Sequence, residues 1–122
     1  MELTQDKPSD RLYIQAADDS SITIDGIRHT HCLHLTEIHV TEWPASSIDK
    51  INEESLAPII ASRPALLLIG TGREHRPLDP ATTALLMQHG IGVEVMTTAA
   101  ACRTYNLLAV DGRPVVAILL LR

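Results

Sequence analysis

Four of the six histidines fall in the stretch from Arg28 to His39, which reads RHTHCLHLTEIH. With Cys32 and Glu37, His29, His31, His34 and His39 form a dense set of candidate metal ligands. A zinc site needs three or four such groups converging at about 2.0–2.3 Å. Read as a single strand, the stretch sends successive side chains to opposite faces. His29, His31, Glu37 and His39 then share a face with Leu33 and Leu35, while Cys32 and His34 lie on the other with Arg28, Thr30 and Thr36. Such a split cannot close round one ion without a bulge. The stretch is therefore read as a half-exposed strand carrying polar histidines, and no metal site is assigned.

Two loops in the second half offer different chemistry. Gly70, Thr71 and Gly72 follow one apolar run, and Met96, Thr97 and Thr98 follow the next. If the two runs are parallel strands, both loops lie at their C-terminal ends, where open α/β sheets place ligands. Glycines let backbone N–H groups approach an anion, and a helix starting near Thr98 adds partial positive charge. Arg73 and Arg76 follow Gly72, and Arg103 and Arg113 flank the last helix. Together with Asn106 these residues outline a crevice for a small molecule or a small anion. GTG is neither a Walker A loop nor a GxGxxG fingerprint. The competing reading is a tight strand exit with arginines solvated or paired to carboxylates.

Glu94 is the acid of most interest. It lies in Ile91-Gly-Val-Glu-Val95 among apolar neighbours, where a carboxylate must find partners or its pKa rises. Its two readings are a general base and a structural acceptor. Cys102 sits one turn into a helix, where thiols can be activated, yet among alanines it reads as a small core residue. No GxSxG elbow is present, and no cofactor is implied.

The elements that would position these groups emerge from patterning. A chain of 122 residues is one domain. With no Phe, two Tyr and one Trp, its core must be aliphatic. A formal charge of −5 argues against nucleic acid as a partner. The two cysteines form no CxxC pair, and no signal peptide is evident. The longest apolar run, Val115 to Leu121, is far short of the roughly 20 residues a membrane span needs. A soluble, cytoplasmic protein is the expectation.

Residues 1–10 read as a flexible tail and 11–122 as a single domain. Ile22 and Ile24 alternate with polar residues ahead of Asp25-Gly26, a hairpin turn signal. The return strand is expected to run from Ile27 to Trp43, ending at Pro44. Ser55 is expected to cap a short helix from Leu56 to about Ser62, with Pro58 in its first turn. Ala65 to Ile69 suits a buried strand. Asp79-Pro80 opens a helix with Ala81, Ala84 and Leu85 inward, closed by Gly90. After Ile91–Val95, Thr97 or Thr98 caps a helix with Ala100, Ala101, Thr104, Leu107 and Leu108 recurring at helical spacing. A strand at Pro114 to Leu121 ends the chain. Alternation of strand and helix implies a mostly parallel region. The predicted architecture is α/β, a central mixed β-sheet with flanking helices and an N-terminal β-hairpin layer.

Leu66-Leu-Leu-Ile-Gly-Thr-Gly72, Gly90-Ile-Gly-Val-Glu-Val-Met-Thr-Thr98, Ala101-Cys-Arg-Thr-Tyr-Asn-Leu-Leu108 and Asp111-Gly-Arg113, in that order, resemble the Mth-like domain family. The resemblance covers roughly residues 55–121, and Ile22–Trp43 fits its N-terminal β region more loosely. Its members include a mitochondrial assembly factor of respiratory complex I and an animal adipogenesis-associated protein. The resemblance implies a compact α/β domain and brings no established reaction. Its pattern falls here on Gly70, Gly72, Glu94, Met96, Thr97, Thr104, Tyr105, Asn106 and Arg113. Two functional expectations result. The first is a non-catalytic assembly factor with a protein partner; the second is a small-molecule or anion-binding protein or enzyme using the crevice between the GTG and MTT loops.

Overall fold

The Asp25-Gly26 turn forms as its sequence predicts. In the computed structural model, which describes residues 11–121, both residues have positive φ, 49° and 84°. This backbone matches the twist of the strands it joins. It connects β2 (Ile22–Ile24) to β3 (Ile27–His29), with Ile24 opposite Ile27. β1 (Ile14–Ala17) pairs antiparallel with β2 and completes a three-stranded sheet in the order β1-β2-β3. The tail expected at residues 1–10 lies outside the described residues.

The histidine stretch is not one strand. β3 ends at His29, β4 (Leu33–Leu35) belongs to a second sheet, and β5 (Val40–Glu42) returns antiparallel to β4. Thr36 supplies the reason for the second break. Its hydroxyl accepts the N–H groups of Ile38 and His39 at 3.3 and 3.0 Å, and its own N–H donates to the His39 carbonyl at 2.8 Å. Such local bonds offer the backbone an alternative to the ladder. The candidate ligands are thereby spread over two sheets and a turn. Among the described residues no three His, Cys, Asp or Glu side chains are placed to hold a metal ion.

The second half forms the central sheet, of order β5-β4-β8-β6-β7. β6 (Leu66–Gly70) runs parallel to β7 (Gly92–Met96) and to β8 (Val116–Leu119), while β4 runs antiparallel to β8. The sheet is therefore mixed, as expected. Leu67, Leu68, Ile69, Ala117, Ile118 and Leu119 are completely buried at its centre, so the core is aliphatic.

Three helices differ in detail from their sequence patterns. α1 (Glu53–Ser62) starts earlier than predicted, because Asn52 is the cap and the Ser55 hydroxyl accepts the Asn52 N–H in return. Pro58 consequently lies in the helix interior. α2 (Pro80–Gln88) starts at Asp79-Pro80 as predicted, but turns Thr82 and Leu86 inward, not Ala81 and Ala84. α3 (Thr98–Val110) buries Ala101, Cys102, Tyr105, Asn106 and Ala109, whereas Leu107 is 52% exposed. Its inner face is rotated because α3 contacts both β1 of the small sheet and β6 and β8 of the large one.

Candidate functional site

β6 and β7 deliver their exits to one rim. They pair in parallel from Leu66 opposite Gly92 to Gly70 opposite Met96, and the Thr71 N–H donates to the Met96 carbonyl at 2.8 Å. The start of α3 makes a glycine necessary at position 70. A Cβ on Gly70 would lie 2.8 Å from both Cα and Oγ1 of Thr98 and 3.2 Å from the Ala101 Cβ. Only a residue without a Cβ lets α3 begin this close to the end of β6.

Thr98 fastens three segments together. Its buried hydroxyl accepts the Gly72 N–H at 2.8 Å and donates to the Leu120 carbonyl, while its N–H donates to the Gly72 carbonyl at 2.9 Å. The Leu120 N–H donates to the Gly70 carbonyl at 2.9 Å. Thr97 is the N-cap of α3, its hydroxyl accepting the Ala100 N–H at 3.3 Å. Thr71 shapes the next loop: its hydroxyl donates to the Glu74 carbonyl at 2.6 Å and accepts the Arg76 N–H at 3.1 Å.

A cavity of about 260 Å³ opens at this rim, lined by Gly72, Arg73, Thr97, Thr98 and Ala99. Its opposite wall is the β1–β2 turn, with Ala17, Asp18 and Asp19, and Leu121 closes one side. That wall changes the electrostatics. Asp18 Oδ1 accepts both the N–H and the hydroxyl of Ser20 and of Ser21, at 2.8–3.2 Å. These bonds, the Ser20 N–H foremost, hold the Asp18 carboxyl below its usual value. The Arg73 guanidinium lies 3.7 Å from Asp19 on the exposed side. Two carboxylates thus face one guanidinium among the lining residues. The run Asp18-Asp19-Ser20-Ser21 carried a signal for this turn, an acid succeeded by residues whose N–H and O–H groups it can bind.

The structure gathers Gly70, Thr71, Gly72, Arg73, Thr97 and Thr98 at the rim and separates the other candidates. Glu94 is exposed on β7, the outer strand, and is not part of the cavity lining. Arg103 is exposed midway along α3. Arg113 lies beyond the far end of that helix, its N–H on the Leu108 carbonyl at 2.9 Å. The 13 residues of α3 put about 20 Å between that end and the rim. There the carbonyls of Gly112 and Arg113 accept the guanidinium of Arg11 at 2.9 and 2.8 Å, and Arg11 also pairs with Glu37 at 3.3 Å.

Asn106, a ligand candidate by sequence, is buried and paired with the backbone. Its amide nitrogen donates to the Ile14 carbonyl at 2.8 Å and its oxygen accepts the Ile14 N–H at 3.0 Å. The neighbouring Tyr105 hydroxyl lies 3.0 Å from the carbonyl oxygens of both Leu12 and Thr36, and burial raises its pKa. Burial also pushes the Cys102 thiol up to about 12, the opposite of an activated nucleophile.

Comparison with known proteins places these features in a wider group. A family model described as protein of unknown function (DUF498/DUF598) matches residues 14–120. NADH dehydrogenase (ubiquinone) 1 alpha subcomplex assembly factor 3 of Mus musculus is 32% identical over 113 residues, covering 91% of this chain and 61% of its own length. The chain thus spans about three fifths of that relative. The crystal structure of a Bordetella parapertussis protein is 33% identical, with a TM-score of 0.85 over 95% of this chain and 100% of its own. The solution structure of a Bordetella pertussis protein described as a Mth938-like domain is 29% identical, with a TM-score of 0.80 over 99% of this chain and 92% of its own. No helix among the described residues is long and apolar enough to cross a membrane.

Proposed function

Because the chain belongs to the family described as protein of unknown function (DUF498/DUF598), we propose that it acts as an assembly factor through protein contacts, without catalysing a reaction. Its client, by likeness to relatives named as complex I assembly factors, is a respiratory NADH dehydrogenase intermediate. One observation carries the non-catalytic part. Thr98, Tyr105 and Asn106, all buried polar side chains of α3, are engaged in bonds that join the two sheets and the GTG loop to that helix. They build a frame, which leaves the surface to meet a partner. The test is deletion of the gene and native gel electrophoresis of the membranes. Loss of assembled NADH dehydrogenase with accumulation of a subcomplex, restored by the chain supplied in trans, is the expected outcome. Unchanged assembly would sink the reading.

A second reading places a small ligand in the rim cavity, and the shared exit of β6 and β7 favours it. Asp18 and Asp19 set its chemistry: a neutral or cationic ligand suits the lining better than an anion. Titration with phosphate and with a polyamine, monitored at the Gly72 and Ala99 amides by NMR, separates the two. A response to phosphate alone would restore the anion reading, and silence to both would remove the site.

A further inference from the structure

The larger opening lies on the other side of the Asp18–Ser21 turn, between the outer strands of the two sheets. β3 is the edge of the three-stranded sheet and β5 the edge of the five-stranded sheet. A groove of about 620 Å³ runs between them, with Arg28 and Thr30 on one flank, Glu42 and Trp43 on the other, and Leu121 in its lining.

Hydrogen-bond alternation shows which backbone groups face this groove. In an antiparallel pair, bonded and non-bonded positions alternate, and at the non-bonded ones the backbone groups point away from the partner strand. The two-residue turn makes Ile24 and Ile27 the closing bonded pair, so Arg28, opposite Thr23, takes the next, non-bonded position. On β5, the Trp43 N–H donates to the Cys32 carbonyl at 2.8 Å, and the Thr36 N–H to the His39 carbonyl. Bonded pairs therefore fall at Cys32/Trp43 and His34/Thr41, and Glu42, opposite Leu33, takes the non-bonded position between them. The N–H and C=O groups of Arg28 and Glu42 point outward from their sheets, and both residues line the groove. Edges of this kind, unpaired among the described residues, are templates for an added strand.

The side chains narrow the chemistry. The Glu42 carboxylate is met by His31 at 3.4 Å. The exposed Arg28 guanidinium has no hydrogen-bond or ion-pair partner among the described residues. Trp43, only 8% exposed, forms part of the wall, and its indole N–H has no partner among the described residues. A buried donor of this kind calls for an acceptor.

We propose that this groove is the partner-binding surface and takes an extended peptide segment by strand addition, with an acidic side chain of that segment opposite Arg28. The inference rests on the protein-contact reading above and names its surface. Backbone hydrogen bonds to Arg28 and Glu42 set the extended conformation, as in other β-augmentation complexes, and the charge on Arg28 fixes register.

The probe is a phage-displayed library of random decapeptides with a central glutamate, selected against the full chain. Selected peptides should perturb the amide signals of Arg28, Thr30 and Glu42. N-methylation along a selected peptide should weaken binding about tenfold at adjacent residues within the groove, whose N–H groups turn alternately to Arg28 and to Glu42, and little beyond it. A tenfold loss is about 1.4 kcal/mol, the scale of one net hydrogen bond. Arg28→Glu should abolish selection of acidic peptides. Glu42→Pro should weaken binding without unfolding, because its N–H serves no ladder bond; the N-methyl scan keeps the test intact should that variant misfold. Peptides that bind elsewhere, an N-methyl scan flat along the whole peptide, or no selected peptide would overturn the proposal. So would protection of the Glu42 amide by a second copy of the chain, seen as a dimer in sedimentation. These outcomes leave the deletion test untouched: a persisting assembly defect with a silent groove removes this surface and keeps the assembly role.

Discussion

Asn106 binds Ile14 as a neighbouring strand would, accepting one hydrogen bond from its N–H and donating one to its carbonyl, across 92 positions of sequence. The small sheet is thereby tied to α3, and through α3 to the large sheet. Replacing Asn106 with Ala leaves two backbone groups buried and unpaired. Stability should fall by about 2–6 kcal/mol, since each unsatisfied group costs about 1–3. Urea denaturation measures it, and hydrogen exchange at the Ile14 amide should quicken before global unfolding. A loss below about 1 kcal/mol, the worth of one ordinary hydrogen bond, with unchanged exchange would mean that β1 is held by packing alone.

The rim depends on Gly70 and Thr98 in different ways. Gly70→Ala drives a Cβ into the backbone of Thr98, where 2.8 Å leaves no room. Either β6 or α3 must move, at a cost of about 1–3 kcal/mol. Thr98→Val keeps the shape and removes the hydroxyl, orphaning the Gly72 N–H and the Leu120 carbonyl, with a larger loss of about 2–6 kcal/mol at about 1–3 for each unsatisfied group. Thr98→Ser should recover most of it. Thermal and urea unfolding of the three variants checks this order, and a Ser variant as weak as Val would shift the cause from the hydroxyl to the methyl group.

The buried thiol and phenol make stability pH-dependent on the alkaline side. Cys102 moves from 9.0 to about 12 on folding, and Tyr105 moves up from 10.0. In both, the folded state holds its proton where the unfolded chain has released it. The unfolded state then binds fewer protons, so stability falls as pH rises. The contribution is full below about pH 9 and is lost as pH climbs through the folded values. Urea midpoints from about pH 8 to 11 should decline, and Cys102→Ala should flatten the onset near the unfolded thiol's value. Both cysteines are buried, so a thiol reagent at neutral pH should label neither until the protein unfolds. Rapid labelling of Cys102 in the native state would contradict its placement.

What could be read from sequence was local. Asp25-Gly26 and Asp79-Pro80 specify their turn and cap through their own backbone preferences, and the apolar runs at Leu66–Ile69 and Val115–Leu121 declare buried strands. The parallel rim was legible in the strand–helix alternation. The face of α3 was not, because two sheets compete for it and the small one arrives from far upstream. Once β1 takes its place, Tyr105 and Asn106 turn inward and Leu107 is left outside. Glu94 misleads for a related reason: a strand flanked by apolar residues looks central, yet β7 is an edge strand. The acidic wall of the cavity is hidden in the sequence because the β1–β2 turn reaches it only through the fold.

Pro58 offers a gain. It sits at the sixth position of α1, past the first turn, where each residue should donate to the carbonyl four positions back. Proline has no N–H, so the Glu54 carbonyl loses its helical partner, and the ring crowds it. Pro58 is exposed, so truncating it removes little packing. Pro58→Ala restores a donor and a favourable helix residue. Against this, the unfolded chain regains freedom that proline had restricted, about 0.4–1 kcal/mol. With a helix-interior penalty of about 3 kcal/mol for proline, a net gain of about 2–2.6 kcal/mol in urea denaturation is expected. No gain, or a loss, would mean that α1 has bent to relieve the ring, and that the bend itself seats Leu56 and Ile59 in the core.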